Sequence, residues 1–316
     1  LINMNKIKFD YQFFLVKFPI IFPALYAFIL FQFPSLETAL VITTVLILAE
    51  THFGATWPFF LDKINYPFII KNRIPLIIIP IIIIIFSLIG FFFFNKFFLL
   101  IFLAINMYHV TRQSFGVCKL YSKDIFENKH QEILIYFFNL LFFFIAFFKF
   151  YTPVINESNN SIINIFFMIL FFLISIYYLN KFKFSENYFT LLTGCLIFVP
   201  VLFVNNPVHV ITMGVTMHYT QYLYLTYNVY SSRKSYLPLT IPSNFFNRNY
   251  SFFIIIISYS FFMTSFSFFN EFNLKNLILI PIIGQMLHFY LDSQLWKFSE
   301  KHNRDNTLIH LKKFIQ

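Results

Sequence analysis

Apolar runs about twenty residues long, separated by short polar breaks, recur along the whole chain. A helix that crosses hydrocarbon needs roughly 20 mostly apolar residues, because the bilayer core offers no partner for a free backbone amide. Runs of that kind fall at 11–33, 36–60, 74–94, 97–117, 131–150, 161–180, 188–205, 207–229, 250–269 and 274–296. The breaks carry the residues that stop helices: Pro34, Pro75, Pro153, Pro207, the Asn-rich stretch 155–160 and Lys71-Asn72-Arg73. The pattern predicts an all-α fold, a polytopic transmembrane helix bundle of about ten spans. It divides the chain into a short N-terminal segment over 1–10, a membrane domain over 11–296 and a basic amphipathic tail over 297–316 that is expected to lie on the membrane surface. The run 11–33 follows Lys6 and Lys8 as the apolar part of a signal peptide would. It is long and lacks a small-x-small cleavage site, so it reads as the first span. The chain opens on Leu1, with Met4 as its first methionine, so the natural start is expected to be trimmed or non-standard. No internal repeat and no second soluble domain stand out.

Composition excludes an aqueous alternative. The chain is 59% hydrophobic and 11% charged, with a mean hydropathy of +0.71, whereas soluble domains carry about a quarter charged residues. Its 52 Phe, beside abundant Ile, Asn and Lys, point to an AT-rich coding sequence, so aromatic runs such as Phe91 to Phe94 are given no functional meaning. Charge tests the span count independently, because Lys and Arg in short loops favour the cytoplasmic side. With the N-terminus inside, 19 of the 23 Lys and Arg fall on the cytoplasmic side. The exceptions are Lys96, Lys149 and Lys275 on the opposite face and Lys17 within the first span. That asymmetry predicts both termini in the cytoplasm. It also accounts for the net charge of +10 through topology and anionic lipid, with no nucleic-acid partner. Cys118 and Cys195 lie far apart in apolar stretches, with no CxxC spacing, and predict neither a disulfide nor a cysteine site.

Ionisable groups inside spans are costly and mark functional positions by default. Spans two, four, eight and ten all run from outside to inside, and each carries one well-placed imidazole. From the span starts, His52 is 16 residues in, His109 is 12, His218 is 11 and His288 is 14. At 1.5 Å per residue the spread is about 7.5 Å, so all four are expected in one layer near the bilayer midplane. His209 reads as interfacial, and His130, His302 and His310 as ordinary solvated residues of loops and tail.

Each imidazole has polar company about one turn away, at spacings that share a helix face: Thr56 after His52, Arg112 and Gln113 after His109, Gln221 after His218, and Asp292 after His288. An imidazole that binds metal through one nitrogen usually donates its other N–H to a carboxylate or carbonyl, a role open to Asp292 or Gln221. Gly214 and Gly284 precede His218 and His288 by four residues and permit close approach of a ligand or a helix. Four imidazoles with the carboxylates Glu50 and Asp292 nearby suit a transition metal, with iron (Fe2+) the leading choice for oxygen chemistry and zinc its competitor. The bland alternatives stand beside this reading. An intramembrane His is often an interhelical hydrogen-bonding group, Arg112 can snorkel to the inner interface, and Glu50, two residues from His52, faces elsewhere on a regular helix. Trp57, Trp296 and Tyr290 read as an inner aromatic belt. Gly-rich phosphate loops, nucleophile elbows and HExxH motifs are absent from the sequence.

The segments His52-Phe53-Gly54, His109, His218 and His288-x-x-x-Asp292 resemble, in order and spacing, the bacterial Brp/Blh-type carotene-cleaving membrane dioxygenases. The resemblance implies a polytopic protein of the bacterial cytoplasmic (inner) membrane that uses His-bound iron to cleave a carotenoid. Where that family's pattern has a second His four residues after the first, this chain has Tyr222, which equally fits a sister family acting on another lipid. Three classes of function follow: a metal-dependent oxygenase, hydroxylase or desaturase taking a lipophilic substrate from the membrane; a transporter with an intramembrane His and carboxylate relay; and a structural or assembly protein.

Overall fold

A computed structural model describes residues 10–62, 64–121, 125–151, 165–166, 169–170, 172–174, 176–177, 185–233, 248–268 and 275–312. Most of the sixth expected span, Pro153, the stretch 155–160 and the loop cations Lys63, Lys123, Lys181, Lys183 and Lys234 lie outside the described residues. Among the described residues all regular structure is helical. The helices are α1 Ile21–Gln32, α2 Glu37–Thr44, α3 Glu50–Gly54, α4 Thr56–Phe60, α5 Tyr66–Lys71, α6 Ile79–Phe93, α7 Asn95–Tyr121, α8 Ile125–Ala146, α9 Glu186–Leu196, α10 Pro207–Ser232, α11 Arg248–Phe268, α12 Leu279–Leu295, α13 Lys301–Asn303 and α14 Ile309–Lys312.

The continuous stretches Pro34–Phe60, Ile74–Phe93, Lys129–Tyr151 and Tyr250–Phe268 are long and apolar enough to cross a bilayer. Along α6 the large side chains Ile81, Ile82, Ile85 and Ile89 are each about half exposed, an outward face suited to lipid rather than water. The helices α7 and α10, of 27 and 26 residues, are long enough to span but dilute their apolar content with His, Thr, Asn and Gln. The expected first span is broken: a π-helical turn Phe13–Lys17 is followed by a Phe18-Pro19 interruption before α1 begins. The seventh is α9 continued by a 3-10 turn, Val199–Leu202.

Local chemistry explains the helix ends. Ser185 caps α9, its side chain accepting from the Tyr188 amide at 3.3 Å. At α10, Pro207 occupies the first helical position while the Asn206 carboxamide oxygen accepts from the Val208 amide at 2.9 Å. Within α10, Thr212, Thr216, Thr220 and Thr226 return their hydroxyls to backbone carbonyls three or four residues back, so these polar side chains need no water.

The chain forms two compact units, Leu1–Val41 with Met107–Gln221 and Ile42–Asn106 with Tyr222–Gln316, each built from two separated segments. In the first, the interruption after Lys17 frees backbone carbonyls that side chains then satisfy. Gln221 Nε2 donates to Val16 O at 2.6 Å and Thr193 Oγ1 to Lys17 O at 2.9 Å. The Lys17 ammonium pairs with Glu186. Gln131 Nε2 donates to Asn187 Oδ1 at 2.7 Å, and Asn139 Nδ2 donates to Gly194 O at 3.0 Å. Gly214 is a close approach: a Cβ there would collide with the backbone oxygen of Ile197.

In the second unit α3 packs on α11 and α12. The Tyr259 ring of α11 lies against two glycines, such that a Cβ on Gly54 would sit 2.9 Å from its Cδ1 and one on Gly284 2.5 Å from its Oη. The tail is docked rather than merely resting on a surface. Arg233, 1% exposed, donates from Nε to Asn306 O and from Nη2 to Thr307 Oγ1, both at 2.8 Å. Its Nη1 reaches Asp62 Oδ2 at 3.4 Å and its Cζ lies 4.2 Å from the Phe59 ring centroid. His302 stacks on Phe68 and donates from Nε2 to Asn65 Oδ1 at 2.9 Å. Asn303 caps α12 by donating to Gln294 O at 2.7 Å. The expectation of solvated tail histidines is corrected here: His310 is only 6% exposed and His302 is partly buried, because Arg233 and Asn65 draw the tail in.

Candidate functional site

The second unit holds a buried polar cluster built from four short stretches of helix. His52 comes from α3 and Thr56 from the first turn of α4, four residues on; Tyr222 comes from α10; His288 and Asp292 lie one turn apart on α12. His52, Thr56 and His288 are all 0% exposed and Asp292 is 1% exposed. The His52 ring meets the His288 ring at 4.4 Å and the Tyr222 ring at 4.3 Å between centroids, edge to face in both cases. Phe53 and Phe289 pack against the His288 ring, with centroids at 5.1 and 5.8 Å. Trp296 packs on Tyr222 and stacks on Phe59, so it is part of this packing as well as of any interfacial belt.

Thr56 is the hub. Its Oγ1 is 2.6 Å from His288 Nδ1, 2.9 Å from Asp292 Oδ1 and 3.0 Å from Tyr222 Oη. Tyr222 in turn donates its hydroxyl to Asp292 Oδ1 at 2.6 Å. The direct distance from His288 Nδ1 to Asp292 Oδ1 is 3.9 Å, beyond hydrogen-bond range, so the carboxylate reaches the imidazole through the threonine hydroxyl. Glu50, 1% exposed, turns away from this group and accepts from Gln285 Nε2 at 3.1 Å.

The first unit brings His109 and His218 together, both buried, with ring centroids 5.6 Å apart and planes nearly perpendicular. Of the polar residues expected beside them, Arg112 is exposed and Gln113 partly buried on α7. Gln221 spends its amide on the Val16 carbonyl described above. The four imidazoles singled out by sequence are thus divided two and two between the units, each pair in ring contact within its own unit.

Two arrangements escaped the sequence reading. Tyr222, read there as the loss of a histidine, is a hydroxyl donor to Asp292; nothing local marks it among the 19 Tyr of the chain. His209, read as interfacial, is 3% exposed and joins a chain of its own: Nδ1 is 2.7 Å from Tyr26 Oη and Nε2 is 2.6 Å from Glu37 Oε1. Comparison with protein-family models, with curated proteins and with solved structures gives no match.

Proposed function

We propose that this chain is an integral protein of the bacterial cytoplasmic membrane, with about ten spans and both termini inside. In this reading it holds a transition metal through its intramembrane imidazoles and acts as an oxygenase on a lipophilic substrate. The observation that carries the reading is the His52 and His288 pair, wholly buried, in ring contact and tied to a buried carboxylate through a hydroxyl. The similar depths of the four imidazoles in the sequence and the second pair, His109 with His218, support it.

The donor set fits. Neutral imidazoles suit iron, zinc and copper, and a carboxylate linked to one ring is the usual outer partner of a metal-bound histidine. His52 with His288 in one unit, and His109 with His218 in the other, would supply ligand nitrogens, and bound iron would supply the capacity to activate dioxygen. The chain's own part is to hold these rings still, to admit an apolar substrate from lipid and to keep competing water away. A carotenoid is the first substrate to try, then sterols and fatty acyl chains.

Elemental analysis of the detergent-purified protein, with each of the four His replaced by Ala in turn, tests the reading. Stoichiometric metal that falls in the variants supports it, and the ratio of metal to protein tells one ion from two. In cells that accumulate β-carotene, loss of colour with formation of retinal, abolished by His218→Ala, supports the carotenoid assignment. Protein that purifies without metal and functions fully as His218→Ala and His288→Ala would reject the catalytic reading and leave the imidazoles as polar contacts between helices.

A further inference from the structure

Resting on the proposed metal site, we infer that Thr56 is a positioning residue that sets the tautomer of His288 and so makes Nε2 its metal-ligating atom. The inference follows from counting protons. A carboxylate only accepts, and a threonine hydroxyl carries one proton. Asp292 Oδ1 receives hydroxyls from Tyr222 at 2.6 Å and from Thr56 at 2.9 Å. The Thr56 proton is thereby committed to Asp292 and the Tyr222 proton likewise. The 2.6 Å contact between Thr56 Oγ1 and His288 Nδ1 then needs its proton from the ring. His288 therefore carries its hydrogen on Nδ1 and its lone pair on Nε2. The 3.0 Å contact between Thr56 and Tyr222 has no proton of its own and follows from their shared acceptor.

The same chain of bonds locks ring orientation. Thr56 sits at the first position of α4 and Asp292 one turn beyond His288 on α12, so two helices hold the imidazole from the Nδ1 side. His52 and Phe53 flank the ring with centroids at 4.4 and 5.1 Å, restricting its rotation. Tyr222 matters to the tautomer because its own hydroxyl proton goes to Asp292 Oδ1, so it supplies none to Thr56.

The test uses the full-length protein in detergent, histidine-selectively 15N-labelled, with His288 assigned by its loss in His288→Ala. An Nδ1–H signature for His288 in the metal-free protein is expected, and an Nε2–H signature overturns the inference whatever the metal does. Titration with Co2+ then reads the consequence. Thr56→Ser keeps the hydroxyl and should bind within about threefold of the parent. Thr56→Val keeps the shape but not the hydroxyl, and should bind Co2+ about 10–100-fold more weakly with an altered absorption spectrum. Asp292→Asn retains an accepting oxygen and should fall between them. Equal affinity and identical spectra for Thr56→Val and Thr56→Ser would overturn the positioning role. An Nδ1–H tautomer in a protein that binds no Co2+, Fe2+ or Zn2+ would instead overturn the metal reading and leave the tautomer assignment standing.

Discussion

At the scale of single residues, the cost of burying polar atoms decides which positions are informative. His52, His288 and Asp292 were visible in the sequence because each is expensive in an apolar span and must be compensated. Their compensation was not visible. Thr56 and Tyr222 are cheap, common residues, and the partners of His209 stand 183 and 172 residues away in Tyr26 and Glu37, where no local spacing reveals them. Tyr222 gives a direct test. Phe at this position keeps the ring contact with His52 but removes a donor to a buried carboxylate, so Tyr222→Phe should cost about 1–3 kcal/mol of stability. Unfolding in mixed micelles would measure this, and a variant as stable as the parent would show that Asp292 does not depend on the Tyr222 hydroxyl.

At the scale of helices, glycine and tail docking carry the specific claims. Gly214 faces a backbone oxygen that cannot turn aside, so Gly214→Ala must separate α10 from the Ile197 segment and should destabilise the protein by about 1–3 kcal/mol. Gly116, where an added Cβ would meet nothing within 4 Å, is the control, and its Ala variant should be neutral or slightly stabilising. Similar melting temperatures for the two variants would contradict the close packing. The tail adds a pH dependence. Burial first, then the Arg233 guanidinium, lowers the His302 pKa, with Asp305 opposing them. Because the docked form prefers neutral His302, its contribution is present above the free imidazole value of about 6.5 and is lost as pH falls through the lowered value. A nitroxide at the exposed Ile309 should be immobile at neutral pH and loosen on acidification, with the response weakened in His302→Gln. An identical response in that variant would assign it to another group. Sequence could not anticipate the docking, since basic and amphipathic composition is the same for a helix on lipid and for one held by a buried arginine.

At the scale of the whole molecule, four of the apolar runs correspond, among the described residues, to helices long and apolar enough to cross a membrane. The first, fourth and eighth runs are harder to read from hydropathy for a physical reason. The chain puts its polar chemistry into α7 and α10, and it interrupts the first run at Phe18-Pro19 with side chains from α9 and α10 supplying the missing hydrogen bonds. The proposed topology rests on charge, so it should be checked by reporters fused after Lys63, Lys123 and the C-terminus, all expected in the cytoplasm. A C-terminal reporter on the outer side would make the number of spans odd. The two-segment construction of the units has its own consequence for biogenesis. Residues Ile42–Asn106 leave the ribosome more than a hundred residues ahead of Tyr222–Gln316, a delay of roughly ten seconds at usual elongation rates. Throughout that interval His52 and Thr56 exist without Tyr222, His288 or Asp292. The side-chain partners that Thr56 has in the folded protein are therefore made only after about two thirds of the chain, so this cluster closes late in biogenesis.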